Sequence, residues 1–198
     1  MRVDQVHLSG NWLGAIIIFV SGFCLLYEGV FDPAYAESLP MGVRCGLPKT
    51  GQVTSYQRGD DGDYRKGWSG NRFINNGDGT ITDNATGLMW VANSASAGVG
   101  GGTYTWDNAI AACKNLKFAG YSDWRLPNIK ELVSIVDYGV HNPTIDTAYF
   151  VSQSLLYWSS TTSACYTSGA WLMDFSCGLL VNLDKTVPFS IRPVRDAQ

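Results

Sequence analysis

Histidine is almost missing from this chain: there are two in 198 residues, His7 and His141. A lone histidine after the amino-terminal segment cannot build a two-histidine metal site, and no serine stands in a nucleophile-elbow sequence. Charge is sparse too, at 16% of residues, and no basic stripe exists that would draw the protein toward nucleic acid or anionic lipid. Tandem repeats, low-complexity tracts and collagen-like Gly-X-Y repeats are absent. Long apolar runs are absent as well, save one.

That run, Leu13 to Leu26 (LGAIIIFVSGFCLL), is uncharged and follows Arg2. It is short for a membrane span, which needs about 20 apolar residues, and Ala34-Tyr35-Ala36 behind it has the small-x-small form that signal peptidase cuts. The sequence therefore predicts a signal peptide over residues 1–36. The alternative is an uncleaved anchor helix. Cys24 is a poor lipid-attachment site because Phe23, not a small residue, precedes it. Cleavage would take Arg2 from the 14 basic residues and Asp4, Glu28 and Asp32 from the 17 acidic ones, leaving 13 against 14. A secreted, periplasmic or cell-surface protein with no remaining membrane span and no long-range electrostatic pull is the expectation, and nucleic acid is not a partner.

The same cut leaves Cys45, Cys113, Cys165 and Cys177, an even number in a chain bound for an oxidising compartment. Three pairings are open, and the reading favours Cys165 with Cys177 and Cys45 with Cys113. Free buried thiols are the alternative.

Residues 37–70 read as an extended lead-in, and residues 71–198 as the folded domain. The lead-in contains Leu47-Pro48-Lys49-Thr50-Gly51, which spells a sortase signal but lies far from the carboxyl end. From Arg72 to Val91, apolar Phe73, Ile81, Leu88 and Trp90 are separated by the turn sequences Asn-Gly-Asp-Gly and Asn-Ala-Thr-Gly, which predicts three short antiparallel strands. Asp60, Asp61, Asp63, Asp78 and Asp83 raise the possibility of calcium, but EF-hand spacing is missing, and no cofactor is expected. Thr105 caps a helix with Ala109, Ile110, Cys113 and Leu116 on one face, ended by Gly120. Asn128 and Glu131 form the capping box of a second, whose stripe is Ile129, Leu132, Val133 and Val136 and which Gly139 stops. Strands follow at Tyr157, Ala170, Leu179 and Phe189. Helices between two groups of antiparallel strands make the fold class α+β.

Catalytic candidates are few. Asp137, Asp146 and Asp174 could form carboxylate pairs, but without a cleft they read as solvated or capping acids. Arg125 reads as a structural arginine stacked on an indole. The last third is more suggestive, because Tyr157, Trp158, Tyr166 and Trp171 stand among serines and threonines, and flat rings beside adaptable hydrogen-bonding groups suit a sugar face or a protein partner. The candidate ligand-binding residues are Tyr166, Trp171, Asp174, Asn182 and Lys185, in the 161–169 loop and at nearby strand ends.

NGDGTITDNATGLMW, TWDNAI, GYSDWRLPNIKELVSIVDY, YWSSTT and RPVR occur in that order, and together they resemble the Lcl C-terminal domain family, the secreted bacterial domain at the end of the Legionella collagen-like adhesin. The resemblance covers residues 47–195. It implies a C-type-lectin-like fold, with loops that carry ligand binding, and a surface ligand binder as the class. The adhesin's sulfated-glycosaminoglycan ligand is not carried over, since this chain lacks the basic cluster that sulfate needs. A glycan or cell-surface protein is the expected partner, with a homo-oligomer possible. Two alternatives remain: an oxidoreductase of the distantly similar formylglycine-generating kind, using Cys165, Cys177 and copper, and a structural subunit of an extracellular assembly.

Overall fold

The computed structural model describes residues 46–197, except 101 and 153, together with two short strands nearer the amino terminus. By its internal contacts the chain divides into Met1–Gly42 and Val43–Gln198. In the first unit Phe19–Val20 (β1) pairs antiparallel with Phe23–Cys24 (β2). Apart from these strands, the leader, its cleavage site at Ala36, and Cys45 lie outside the described residues. No helix among the described residues is long and apolar enough to cross a membrane.

The second unit has the expected α+β composition. Helix α1 (Asp61–Tyr64) is one turn inside the lead-in, α2 spans Trp106–Asn115 and α3 spans Ile129–Ser134. The three hairpin strands form where the turn sequences put them: β3 (Phe73–Asn75), β4 (Thr80–Asp83) and β5 (Leu88–Val91). The closing strand β9 (Val194–Asp196) pairs with β5, so the order is β3-β4-β5-β9, all antiparallel. A second antiparallel sheet runs β6 (Leu156–Thr162), β7 (Gly169–Asp174), β8 (Leu179–Asp184).

Side-chain alternation along the inner strands builds two cores. Leu88 and Trp90 of β5 and Met173 of β7 join one apolar cluster, with Leu132 of α3. Met89 and Val91 of β5, and Ala170 and Leu172 of β7, join the other, with Ala109 and Cys113 of α2. Because successive residues of a strand point to opposite faces, a strand buried on both sides needs apolar residues at both parities, and LMWV and AWLM supply them.

Three local expectations shift. Helix α2 stops at Asn115, and Leu116 turns extended. Gly120 serves instead in a two-residue hairpin turn, where Ala119 and Gly120 take φ of 52° and 80° between the mutually bonded Phe118 and Tyr121. Helix α3 has the capping box of Asn128 and Glu131 but ends at Ser134, well before Gly139. Arg125 stacks on no indole: it grips Glu131 with two bonds of 2.7 and 2.8 Å and reaches Asp196 at 3.2 Å.

The expected disulfides need correction. Cys165 and Cys177 are both exposed and free, and Cys113 is buried and free. Cys165 lies in the loop entering β7 and Cys177 in the turn leaving it. A six-residue strand separates them, roughly 20 Å of extended chain at about 3.3 Å per residue, whereas a bridge needs Cα atoms within about 7 Å. Cys113, on α2, faces the core, and burial pushes its thiol pKa up to about 12.

The segment 189–195 ties these parts together. Tyr104 and Phe189 exchange backbone bonds, as do Arg125 and Val194, and Trp158 N–H donates to Ser190. Arg192 is fully buried. Its guanidinium donates to the carbonyls of Val91 (3.1 Å), Ala92 (2.9 Å) and Val151 (2.9 Å), and lies 5.3 and 5.1 Å from the ring centres of Phe150 and Tyr157.

Two outcomes follow. In native protein at pH 8, iodoacetamide should label Cys165 and Cys177 while sparing Cys113 until denaturant is added; a Cys165–Cys177 cross-link in a non-reducing peptide map would contradict the separation across β7. Arg192→Met should lower unfolding free energy by roughly 2–4 kcal/mol in urea titration, because it strips donors from three carbonyls.

Candidate functional site

Four of the five expected site residues gather where β7 begins. Trp171 and Asn182 are direct partners across the β7–β8 ladder, so their side chains leave the same face, and Gly169 faces Asp184 two residues along. The loop before Gly169 folds back on itself through the Gly169 N–H bond to Tyr166 and the Ser163 N–H bond to Gly169. This brings the Tyr166 hydroxyl to Asp184 Oδ2 at 2.8 Å. Gly169 is required there, since a Cβ would fall 2.4 Å from Tyr166 Cδ1 and 2.5 Å from Asn182 Oδ1.

Lys185 continues the cluster. Its Nζ donates to the Thr167 carbonyl at 3.0 Å and sits 4.1 Å over the Trp106 ring, a cation–π contact. Trp106 is anchored in turn by Nε1 donating to Ser159 O at 2.8 Å and by its backbone N–H on Lys185 O. Sequence reasoning missed Trp106 because it opens α2, where an aromatic reads as core. The Asn182 Oδ1 atom is buried with no hydrogen-bond partner. Tyr166 is 47% exposed, and Trp171, Asn182 and Lys185 are half-buried, so this end of the sheet presents an accessible ring beside a second, partly covered one and a cation.

Asp174 does not join them. It lies at the far end of β7, where Oδ1 accepts the Ser176 N–H at 2.8 Å and its carbonyl accepts from Gly178. Its chemistry is that of a turn. The other acids considered for calcium are likewise engaged locally. Asp60 accepts the N–H groups of Tyr56, Gln57 and Asp63, Asp78 accepts from Thr80, and buried Asp83 pairs with Arg72 at 3.0 Å. Among the described residues no three His, Cys, Asp or Glu side chains converge as a metal group would require.

A cleft of about 380 Å³ opens elsewhere, between residues 49–73 and 135–149, with Lys49, Trp68, Asn71, Asp137, Asp146 and Tyr149 on its walls. The lead-in forms one side of it. Tyr138 N–H donates to Thr50 O at 2.7 Å, and Gly51, at φ 93°, passes so close to Asp137 that a Cβ would collide with the carboxylate. Asp137 and Asp146, 9 positions apart in sequence, are brought to one cleft by the Asp137 N–H bond to the Thr144 carbonyl, and the lead-in closes its other side.

Asp184 is held below its ordinary 3.8, first by the Thr186 hydroxyl, then by the Thr186 N–H and the Tyr166 hydroxyl. A depressed carboxyl stabilises the fold above its unfolded value, and that contribution disappears as pH falls through the folded one. An NMR titration should therefore give Asp184 a midpoint under 3.8, which Tyr166→Phe raises and Thr186→Ala raises further. An unmoved midpoint in both variants would refute the geometry of this corner.

No curated protein matches the chain. The family model of the Lcl C-terminal domain matches residues 79–195, which run from the turn before β4 through β9. Since this stretch is more than half of the 198 residues and holds both sheets' inner strands, α2, α3 and the Tyr166–Lys185 corner, the chain belongs to the Lcl C-terminal domain family.

Proposed function

We propose that this protein is an exported surface recognition module, which binds a glycan or protein ligand through the loop-bearing corner where β7 begins. One observation carries the reading: Tyr166, Trp171 and Asn182 share one face of the β7–β8 ladder where β7 begins, and Lys185, over Trp106, stands at the same end of a sheet whose central strand is buried on both faces. Rings held by a rigid ladder give contact area at little entropic cost, and the amide and ammonium give orientation. Family membership supports the same class. The arrangement of α2 and α3 between two groups of antiparallel strands, with a ligand corner made by loops, supports a C-type-lectin-like fold.

The oxidoreductase alternative needs Cys165 and Cys177 on one copper ion, and their places at opposite ends of β7 speak against it. Binding without turnover is the proposal.

Purified protein should retain a ligand from a glycan array or a panel of cell-surface proteins. Tyr166→Ala and Trp171→Ala should each weaken that binding about tenfold or more, the scale of an aromatic hot spot, without shifting the melting temperature by more than a few degrees. Empty screens with folded wild-type protein would remove the proposal's support.

A further inference from the structure

The cleft beside Trp68 is separate from the corner at Gly169. Its neighbouring segment is tied to the far end of β7, where Thr144 N–H donates to Phe175 O and the Tyr138 hydroxyl to Gly178 O. At about 380 Å³ it falls within the range of small-molecule sites, roughly 300–1,000 Å³.

Its walls are of two kinds. Tyr149 packs on Phe73 with ring centres 5.3 Å apart, and Trp68 lies between two glycines, where a Cβ at Gly46 would stand 3.3 Å from Cε3 and one at Gly70 3.2 Å from Nε1. The Trp68 Nε1 atom is buried and has no hydrogen-bond partner. The polar wall holds two oriented carboxylates. Asp137 Oδ1 accepts the Gly139 N–H at 2.8 Å and Asp146 Oδ1 the Ala148 N–H at 2.9 Å, so each group is locked by its own turn. Among the described residues the second oxygen of each takes no hydrogen bond. Arg72 does not neutralise them, because its guanidinium is held by Asp83 and the Ser134 carbonyl.

These walls select a ligand class. Two carboxylates against Lys49 disfavour an anion, and an apolar guest would strip water from them without replacing its bonds. A polyhydroxylated ring satisfies both walls, since its hydroxyls donate to carboxylates in strong charge-assisted bonds while its C–H face covers an aromatic. We propose that this cleft binds a neutral pyranose residue, with Asp137 and Asp146 accepting its hydroxyls, Lys49 and Asn71 donating to it, and Trp68 and Tyr149 lining its ring.

The test is a titration of the full chain with methyl β-glucopyranoside, methyl β-galactopyranoside and methyl α-mannopyranoside, followed by ¹⁵N NMR at the Trp68 indole and the amides of Gly51, Gly139 and Ala148. At least one glycoside should shift these signals saturably with an affinity near ~1 mM or better. Asp146→Asn, which keeps an acceptor for Ala148, should weaken it about tenfold, the loss of one charged hydrogen bond. Should that variant fold poorly, exposed Lys49→Ala decides, with a loss of about threefold or more. No shift from any glycoside at roughly 10 mM would overturn the site, as would an affinity unchanged in the folded variants. Equal or tighter binding of methyl glucuronide would overturn the neutral assignment. Tyr166→Ala and Trp171→Ala should leave the titration unaltered, so failure here and failure at the Gly169 corner are told apart.

Discussion

Arg192 carries a guanidinium into an interior where it makes none of the ion pairs found among the described residues. Burial pushes its ordinary basicity down, yet the charge is answered by three carbonyl dipoles and two ring faces. Those carbonyls belong to the end of β5 and to Val151, just before the second sheet. One side chain thereby joins the end of β5 to a loop segment that the sequence places about 60 residues on, and the backbone of 189–195 adds bonds to Tyr104, Trp158 and Arg125. Only its buried Nε finds no hydrogen-bond partner; a group of this kind is costly unless most of its donors meet acceptors in position, so it tolerates one arrangement of its neighbours far better than any other.

The candidate corner at Gly169 shares that rigidity. The corner at Gly169 sits on β7, whose two faces are pinned by the two apolar cores, so the positions of Trp171 and Asn182 follow from the ladder and not from a loose loop. The cleft depends on a different device. Gly51 allows the lead-in to lie against Asp137 at a distance no side chain would permit, and Gly46 and Gly70 let the lead-in close tightly on its own Trp68. Residues that look like spacer are therefore a wall, and the recess exists only while they are docked.

The two candidate sites also differ in chemistry. One presents a cation and rings toward solvent, and the other recesses two carboxylates between aromatic walls. With 14 basic and 17 acidic residues the chain has little field to steer a partner from afar, so under the proposed function affinity would come from such close, shaped contacts.

The sequence by itself determined the features that depend on neighbours a few residues away. The Asn-Gly-Asp-Gly and Asn-Ala-Thr-Gly turns set β3, β4 and β5, Asn128 and Glu131 set the start of α3, and the motif order marked the family. That Trp171 and Asn182 stand side by side follows from the short turn that joins β7 and β8, which makes their register nearly a local matter. Only the tertiary structure decided the rest. Asp174 left the cluster, Cys165 parted from Cys177, Arg125 took Glu131 in place of an indole, and the lead-in brought Lys49 and Trp68 to Asp137 and Asp146. The first three turn on how long β7 runs and how α3 begins, on a scale of 6 to 12 residues, whereas the docking of the lead-in turns on a distance between segments far apart in the chain, set by packing, for which no short stretch of sequence carries a signal.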